Sequence, residues 1–215
     1  MKTLLMMLVT LLVSATVTAQ DLSTPKSAAR AFTEALDKGD ATAARAAAVT
    51  DEKNAAFVDV MTEFMKETRK LNEAAIERYG DAGKDVGGAE AQKDLTKYYD
   101  EAEITETGDT ATITRQDEPS KALRLRKVEN EWKVDVASLL GSEIDIEKTV
   151  AMFRALNAAM REVAAEITEG KHASADAAKY ALAMKNAAFF STADAATTNP
   201  SEAPTTTPST QPADK

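Results

Sequence analysis

The chain has 215 residues and a formal net charge of -9, with one histidine and no cysteine. An acid excess repels phosphate backbones and anionic membranes, which sets nucleic-acid binding aside. The missing cysteines exclude a disulfide framework, a thiol nucleophile and a lipidated thiol, and a single histidine excludes a structural zinc.

The first residues, "MKTLLMMLVTLLVSATVTAQ", carry one positive charge at Lys2, an apolar run from Leu4 to Val13, then small and polar residues ending at Ala19. This pattern reads as a secretory signal peptide over 1–19, cleaved between Ala19 and Gln20. The apolar run is about half of the roughly 20 residues that a membrane-spanning helix needs. The mature chain is therefore expected to be secreted or periplasmic without a stable membrane anchor. Losing Lys2 with the leader makes it one unit more negative.

In "DLSTPKSAARAFTEALDKGD" Thr24 caps a first helix, Pro25 takes its first position and Gly39 ends it. Phe32 and Leu36, one turn apart, give it an apolar stripe. Asp40 caps a second short helix. From Asp51 to Tyr79 a longer helix carries Phe57, Val60, Met61, Phe64, Leu71 and Ala75 at steps of three and four. "GDAGKDVGG", residues 80–88, reads as a flexible break. Asp85 stands where a phosphate-binding loop needs Ser or Thr, so no nucleotide site is expected there.

After a short helix around Glu90 to Tyr99 the period changes to two. "AEITETGDTATITR" fits a hairpin turning at Gly108-Asp109, with Ile104 opposite Ile113. "KALRLRKVENEWKVDVAS" fits a second, turning at Glu129-Asn130. It sets Leu125 across from Val134, Leu123 across from Val136 and Arg124 across from Asp135. Trp132 then begins the inward face of the last strand.

Past Gly141, Ser142 with Asp145 resembles a capping box, and Ile146, Phe153, Met160 and Ile167 recur every seven residues. Gly170 ends this helix and Ser174 caps the next, giving an antiparallel hairpin over 142–190. The stripe has two readings, docking on the sheet domain of residues 20–139 or pairing with a second copy in a homodimer. Residues 191–215, rich in Thr, Ser, Pro and Ala, are expected to be disordered.

No catalytic constellation stands out. His172, between two helices, is accounted for by the favourable field at a helix C-terminus. No calcium loop, metal set or cofactor motif is found, and no carboxylate pair is picked out by spacing. The one cluster marked as a candidate pocket is Tyr98, Tyr99 and Asp100 at the helix-to-sheet junction. Trp132 is carried as a further pocket candidate, although a lone Trp among aliphatic neighbours reads first as core.

The succession "TPKSAARAFTEALDKGD", helices, "TETGDTATIT" and "VENEWKVDVAS" resembles the nuclear transport factor 2-like superfamily, which includes ketosteroid isomerase. "AFTEALDKGD" is similar to its first helix and "EWKVD" to its last strand. The resemblance spans about residues 22–138. It implies α+β architecture, with N-terminal helices packed in the concavity of a curved antiparallel meander. The C-terminal helical hairpin departs from that fold, only four strands are read here, and no isomerase carboxylate falls on a matching residue. The expected function is a non-catalytic binding or scaffolding module for a small molecule or protein. The alternative is an isomerase or cyclase with a buried carboxylate in the cone.

Overall fold

The computed structural model describes residues 20–88, 99–114, 122–141 and 144–197, with side chains as far as Phe189. The leader expected over 1–19, the short helix expected from Glu90 apart from Tyr99, Ser142 and the expected tail beyond residue 197 lie outside the described residues. The architecture is α+β, a five-stranded mixed sheet with helices packed on one face.

Helix α1 (Pro25–Lys38) starts as its sequence dictates. Thr24 Oγ1 accepts from the Ser27 N–H at 3.1 Å, and Ser27 Oγ accepts from the Thr24 N–H at 3.1 Å, satisfying two donors that the first turn leaves free. Gly39 closes the helix at φ 72. Asp40 caps α2 (Ala41–Ala46) through the Ala43 N–H at 2.9 Å. Asp51 caps α3 (Glu52–Tyr79) through the Asn54 N–H at 2.8 Å. Replacing Asp51 with alanine is expected to lower stability by about 1 kcal/mol, read from the urea midpoint; an unchanged midpoint would show that the packing of α3 alone fixes its start.

Both hairpins form at the expected turns. β2 (Glu103–Thr107) and β3 (Thr110–Thr114) pair with Ile104 opposite Ile113. β4 (Leu123–Val128) and β5 (Glu131–Asp135) pair with Leu125 opposite Val134. At their turn Glu129 and Asn130 take φ 53 and 68, the left-handed pair that matches the twist of two-residue hairpins. Two details differ from the sequence reading. Val136 does not face Leu123 across the ladder, because β5 ends at Asp135 and Val136 opens a short helix, α4 (Val136–Leu140). The run Val136-Ala-Ser-Leu-Leu has lost the alternation that keeps a strand amphipathic. Asp135 pairs with Arg126, whose Nε lies 3.2 Å from Oδ2, rather than with Arg124. Its cross-strand partner is Val49 of β1 (Ala48–Val49), a parallel strand too short to show a period of two.

On the helix-covered face Phe32 and Leu36 of α1, Phe57 and Val58 of α3, and Ile113, Leu125, Trp132 and Val134 of the sheet form one buried cluster. α3 extends well past it. Its 28 residues make a rod of about 42 Å, and its C-terminal half joins a second cluster with α5 (Ile146–Thr168) and α6 (Ala175–Thr197). Leu71 and Ala75 of α3 pack there with Met160, Val163 and Ile167 of α5 and Ala178 of α6. The seven-residue stripe of α5 is thus covered by α3 of the same chain. Phe153 joins the two clusters, meeting Phe57 and Phe64 edge to face at centroid distances of 5.9 and 5.3 Å. Each such pair contributes about 0.5–1.5 kcal/mol beyond area burial.

Further boundaries shift. Asp145 itself caps α5, accepting from the N–H groups of Glu147 and Lys148 at 3.0 and 3.2 Å. Ser174 caps α6 as expected, and α6 continues to Thr197, past the boundary at 190 where the tail was expected. The flexible break is instead a docked 3-10 turn (Gly80–Gly83): Gly83 is buried, Val86 enters the second cluster, and the Gly87 N–H donates to Asn72 Oδ1 at 2.7 Å.

Candidate functional site

An open groove of about 930 Å³ lies where the segment Gln20–Leu22 runs beside α1, α2 and β5. The segment is anchored by a backbone bond, with the Trp132 N–H donating to the Leu22 carbonyl at 2.8 Å. Leu22, Ala31, Ala35, Ala43 and Ala46 contribute its apolar surface. Small side chains leave the space open, since alanines at these positions cannot reach across it.

Charged side chains of both signs line the same groove. Arg30, Glu34 and Lys38 follow one another at steps of four along α1, and β5 adds Glu131 and Lys133. Lys38 Nζ is 3.1 Å from Glu34 and Lys133 Nζ is 3.4 Å from Glu131. The Lys38–Glu34 pair is largely exposed, so it holds little energy and can exchange for ligand groups, whereas Lys133 is half-buried beside the exposed Glu131. Asp21 accepts from the Ser23 hydroxyl at 2.6 Å and the Ser23 N–H at 3.0 Å. Those bonds hold its carboxyl below its ordinary value of 3.8, keeping it ionised. The groove therefore suits a ligand with both charges and a small apolar body.

Of the residues marked from sequence, those described lie elsewhere. Tyr99 packs against the first cluster with its hydroxyl 3.0 Å from Thr33 Oγ1. Asp100 binds Arg30 and receives the Lys26 ammonium at 3.8 Å. These two are brought together against α1, and neither borders the groove. Tyr98 lies outside the described residues. Trp132 is core, 4% exposed, with the Lys127 ammonium 5.8 Å from its ring centre. The groove was missed because its residues are ordinary surface charges; the one legible signal was the four-residue spacing of Arg30, Glu34 and Lys38.

The helix-covered face of the sheet is lined by the buried apolar side chains of the first cluster. Glu67 is the one buried carboxylate described, and it lies on α3 with Lys70 Nζ at 3.1 Å.

His172 gathers a second polar cluster. Its Nε2 is 2.9 Å from Glu166 Oε2, its carbonyl accepts from the Tyr79 hydroxyl at 2.9 Å, and Lys185 lies 3.3 Å from Glu166. These contacts tie α3, α5 and α6 together. Ser174, two residues on, is engaged as a helix cap, its Oγ accepting from the Ala177 N–H at 3.2 Å. The hydrogen bond from His172, followed by the weaker influence of Lys185, holds the Glu166 carboxyl below its ordinary 4.5, against the opposing effect of burial. The folded state thus binds this proton less tightly than the unfolded chain. Its contribution to stability is complete above about pH 4.5 and is lost as pH falls through the lower folded value. Glu166→Gln should remove this part of the acid limb in a plot of melting temperature against pH; a variant with an unaltered limb would refute the linkage.

Among the described residues no three His, Cys, Asp or Glu side chains gather as they would around a metal ion, and no helix is long and apolar enough to cross a membrane. No protein-family model, curated protein or solved structure matches the chain.

Proposed function

We propose that the chain is an exported, non-catalytic binding or scaffolding module whose ligand seats in the groove between the Gln20–Leu22 segment, α1, α2 and the end of β5. The observation that carries this reading is the pairing of a filled interior with an open groove. An isomerase or cyclase of the cone type needs a carboxylate inside the concavity, and that space holds Phe32, Leu36, Trp132 and Val134. The groove supplies exposed cations and anions around alanine surfaces, an arrangement for recognition rather than proton transfer. The meander with helices on its inner face also agrees with a nuclear transport factor 2-like fold. The leader supports a periplasmic or secreted location.

The test is a thermal-shift and calorimetric panel of zwitterionic and short peptide ligands against residues 20–197, with Lys38→Glu and Lys133→Glu beside the wild type. A ligand that raises the wild-type melting temperature is expected to lose at least about tenfold in affinity in either variant, equivalent to ~1.4 kcal/mol. The melting temperature of free Lys38→Glu should stay near that of the wild type, because its exposed pair contributes little. Turnover of any panel compound, or binding indifferent to both substitutions, would reject the reading.

A further inference from the structure

We infer that Gln20, once the leader is removed, closes to pyroglutamate, so that the mature protein begins with an uncharged lactam on the wall of the groove. This rests on the export reading and on cleavage after Ala19. The α-amine attacks the side-chain carboxamide carbon, Cδ, of the same residue. A bond from the amine nitrogen to Cδ forms, the Cδ–Nε2 bond breaks, and Nε2 leaves as ammonia. Nothing is oxidised or reduced, and no co-reactant is needed.

Two features of the structure favour closure. First, the fold takes hold immediately after this residue: Leu22 is buried, its carbonyl accepts from Trp132 at 2.8 Å, and Thr24 is locked in its capping box. The cleaved end is therefore a stub of Gln20 and Asp21 on a fixed root. Second, the carboxamide is weakly held. Its Nε2 reaches the Ala31 carbonyl at 3.4 Å, beyond the usual 2.7–3.2 Å for such a bond, so little opposes its turning back onto the amine. A free α-amine titrates near 7.7–8.0, so a usable fraction is neutral at ordinary pH.

Closure changes the groove that Gln20 lines. It removes a terminal cation, leaving Arg30, Lys38 and Lys133 as its positive groups, and it takes away the free amine that an aminopeptidase requires.

The experiment is export of the full chain, recovery of the processed protein, and mass analysis of its N-terminal peptide together with stepwise Edman degradation. Gln20→Glu serves as the control that keeps the shape and lacks the good leaving group. The expected result is a wild-type peptide starting at residue 20, one ammonia lighter than its encoded composition and refractory to the first Edman cycle, with the Gln20→Glu peptide degrading normally. A peptide starting at residue 20 with a free amine overturns this inference and leaves the export reading intact. A start at any other residue overturns the cleavage position, and this inference with it. An intact leader overturns the export reading itself.

Discussion

Replacing Trp132 with alanine is expected to lower the free energy of unfolding by about 3–5 kcal/mol, the range for deleting a large buried aromatic side chain. That is a large part of the 5–15 kcal/mol that usually holds a domain together. Trp132 is 4% exposed in the cluster where α1, α3 and the sheet meet. The neighbouring strand positions are Val134 and Leu125, themselves fully buried, and α1 presents Ala28 and Ala29 beside Phe32. The Lys127 ammonium at 5.8 Å adds on the order of 0.5–1 kcal/mol through the ring face. Because the indole is lost, unfolding is followed by circular dichroism in urea. Trp132→Phe should recover more than half of the loss, since it restores an aromatic body in the same cluster. Tyr180, 68% exposed on α6, gives the comparison, and Tyr180→Ala should stay within about 0.5 kcal/mol. Equal losses at Trp132 and Tyr180 would mean that the sheet face is not the core of this protein. A further check needs no mutation: native indole emission should be blue-shifted and shift to the red on unfolding.

The features that could be read from the chain are those with a local cause. Thr24, Asp40, Asp51 and Ser174 cap their helices because a short oxygen side chain can reach a free N–H two or three residues on, whatever surrounds it. The two hairpins were legible because turn chemistry and alternation agreed independently on one register, Ile104 with Ile113 and Leu125 with Val134. What was not legible depends on contacts distant in sequence. β1 consists of Ala48 and Val49 and exists only because β5 offers its edge. Its two residues carry no periodicity. The α5 stripe was visible, but a stripe does not name its partner, and the buried Asn157 shows how that choice is made. Its Nδ2 donates to the Val60 carbonyl of α3 at 3.1 Å, with Glu63 at 3.3 Å, a polar contact that fixes the register of α5 against α3. The groove was illegible for a different reason: Arg30, Lys38 and Lys133 are unremarkable singly and gain meaning only where the chain folds them around alanines.

The segment 80–88 was misread for an instructive reason, and it carries the second large expected effect. Four glycines in nine residues look like freedom, yet Gly83 is there because nothing larger fits. A Cβ at this position would sit 2.2 Å from the Ala75 carbonyl oxygen, 2.3 Å from its carbon and 2.6 Å from the Ile76 nitrogen. All three are backbone atoms of α3, so no rotamer change relieves the clash. Gly83→Ala must therefore lift the 3-10 turn from the helix. Val86, 4% exposed, then leaves the second cluster, and the bond from the Gly87 N–H to Asn72 breaks. Overpacking costs about 1–3 kcal/mol and exposing a valine about 1.5 kcal/mol or more, so a loss of about 3 kcal/mol is expected. Its signature distinguishes it from a loss of backbone entropy: amide exchange at residues 83–88 should become rapid while the strands β3 to β5 keep their protection. Lys84→Ala is the comparison beside it, since its 2.6 Å pair with Asp81 is exposed and screened by solvent. If Gly83→Ala and Lys84→Ala unfold at the same urea concentration, the turn is not docked on α3, and the flexible reading of "GDAGKDVGG" is restored.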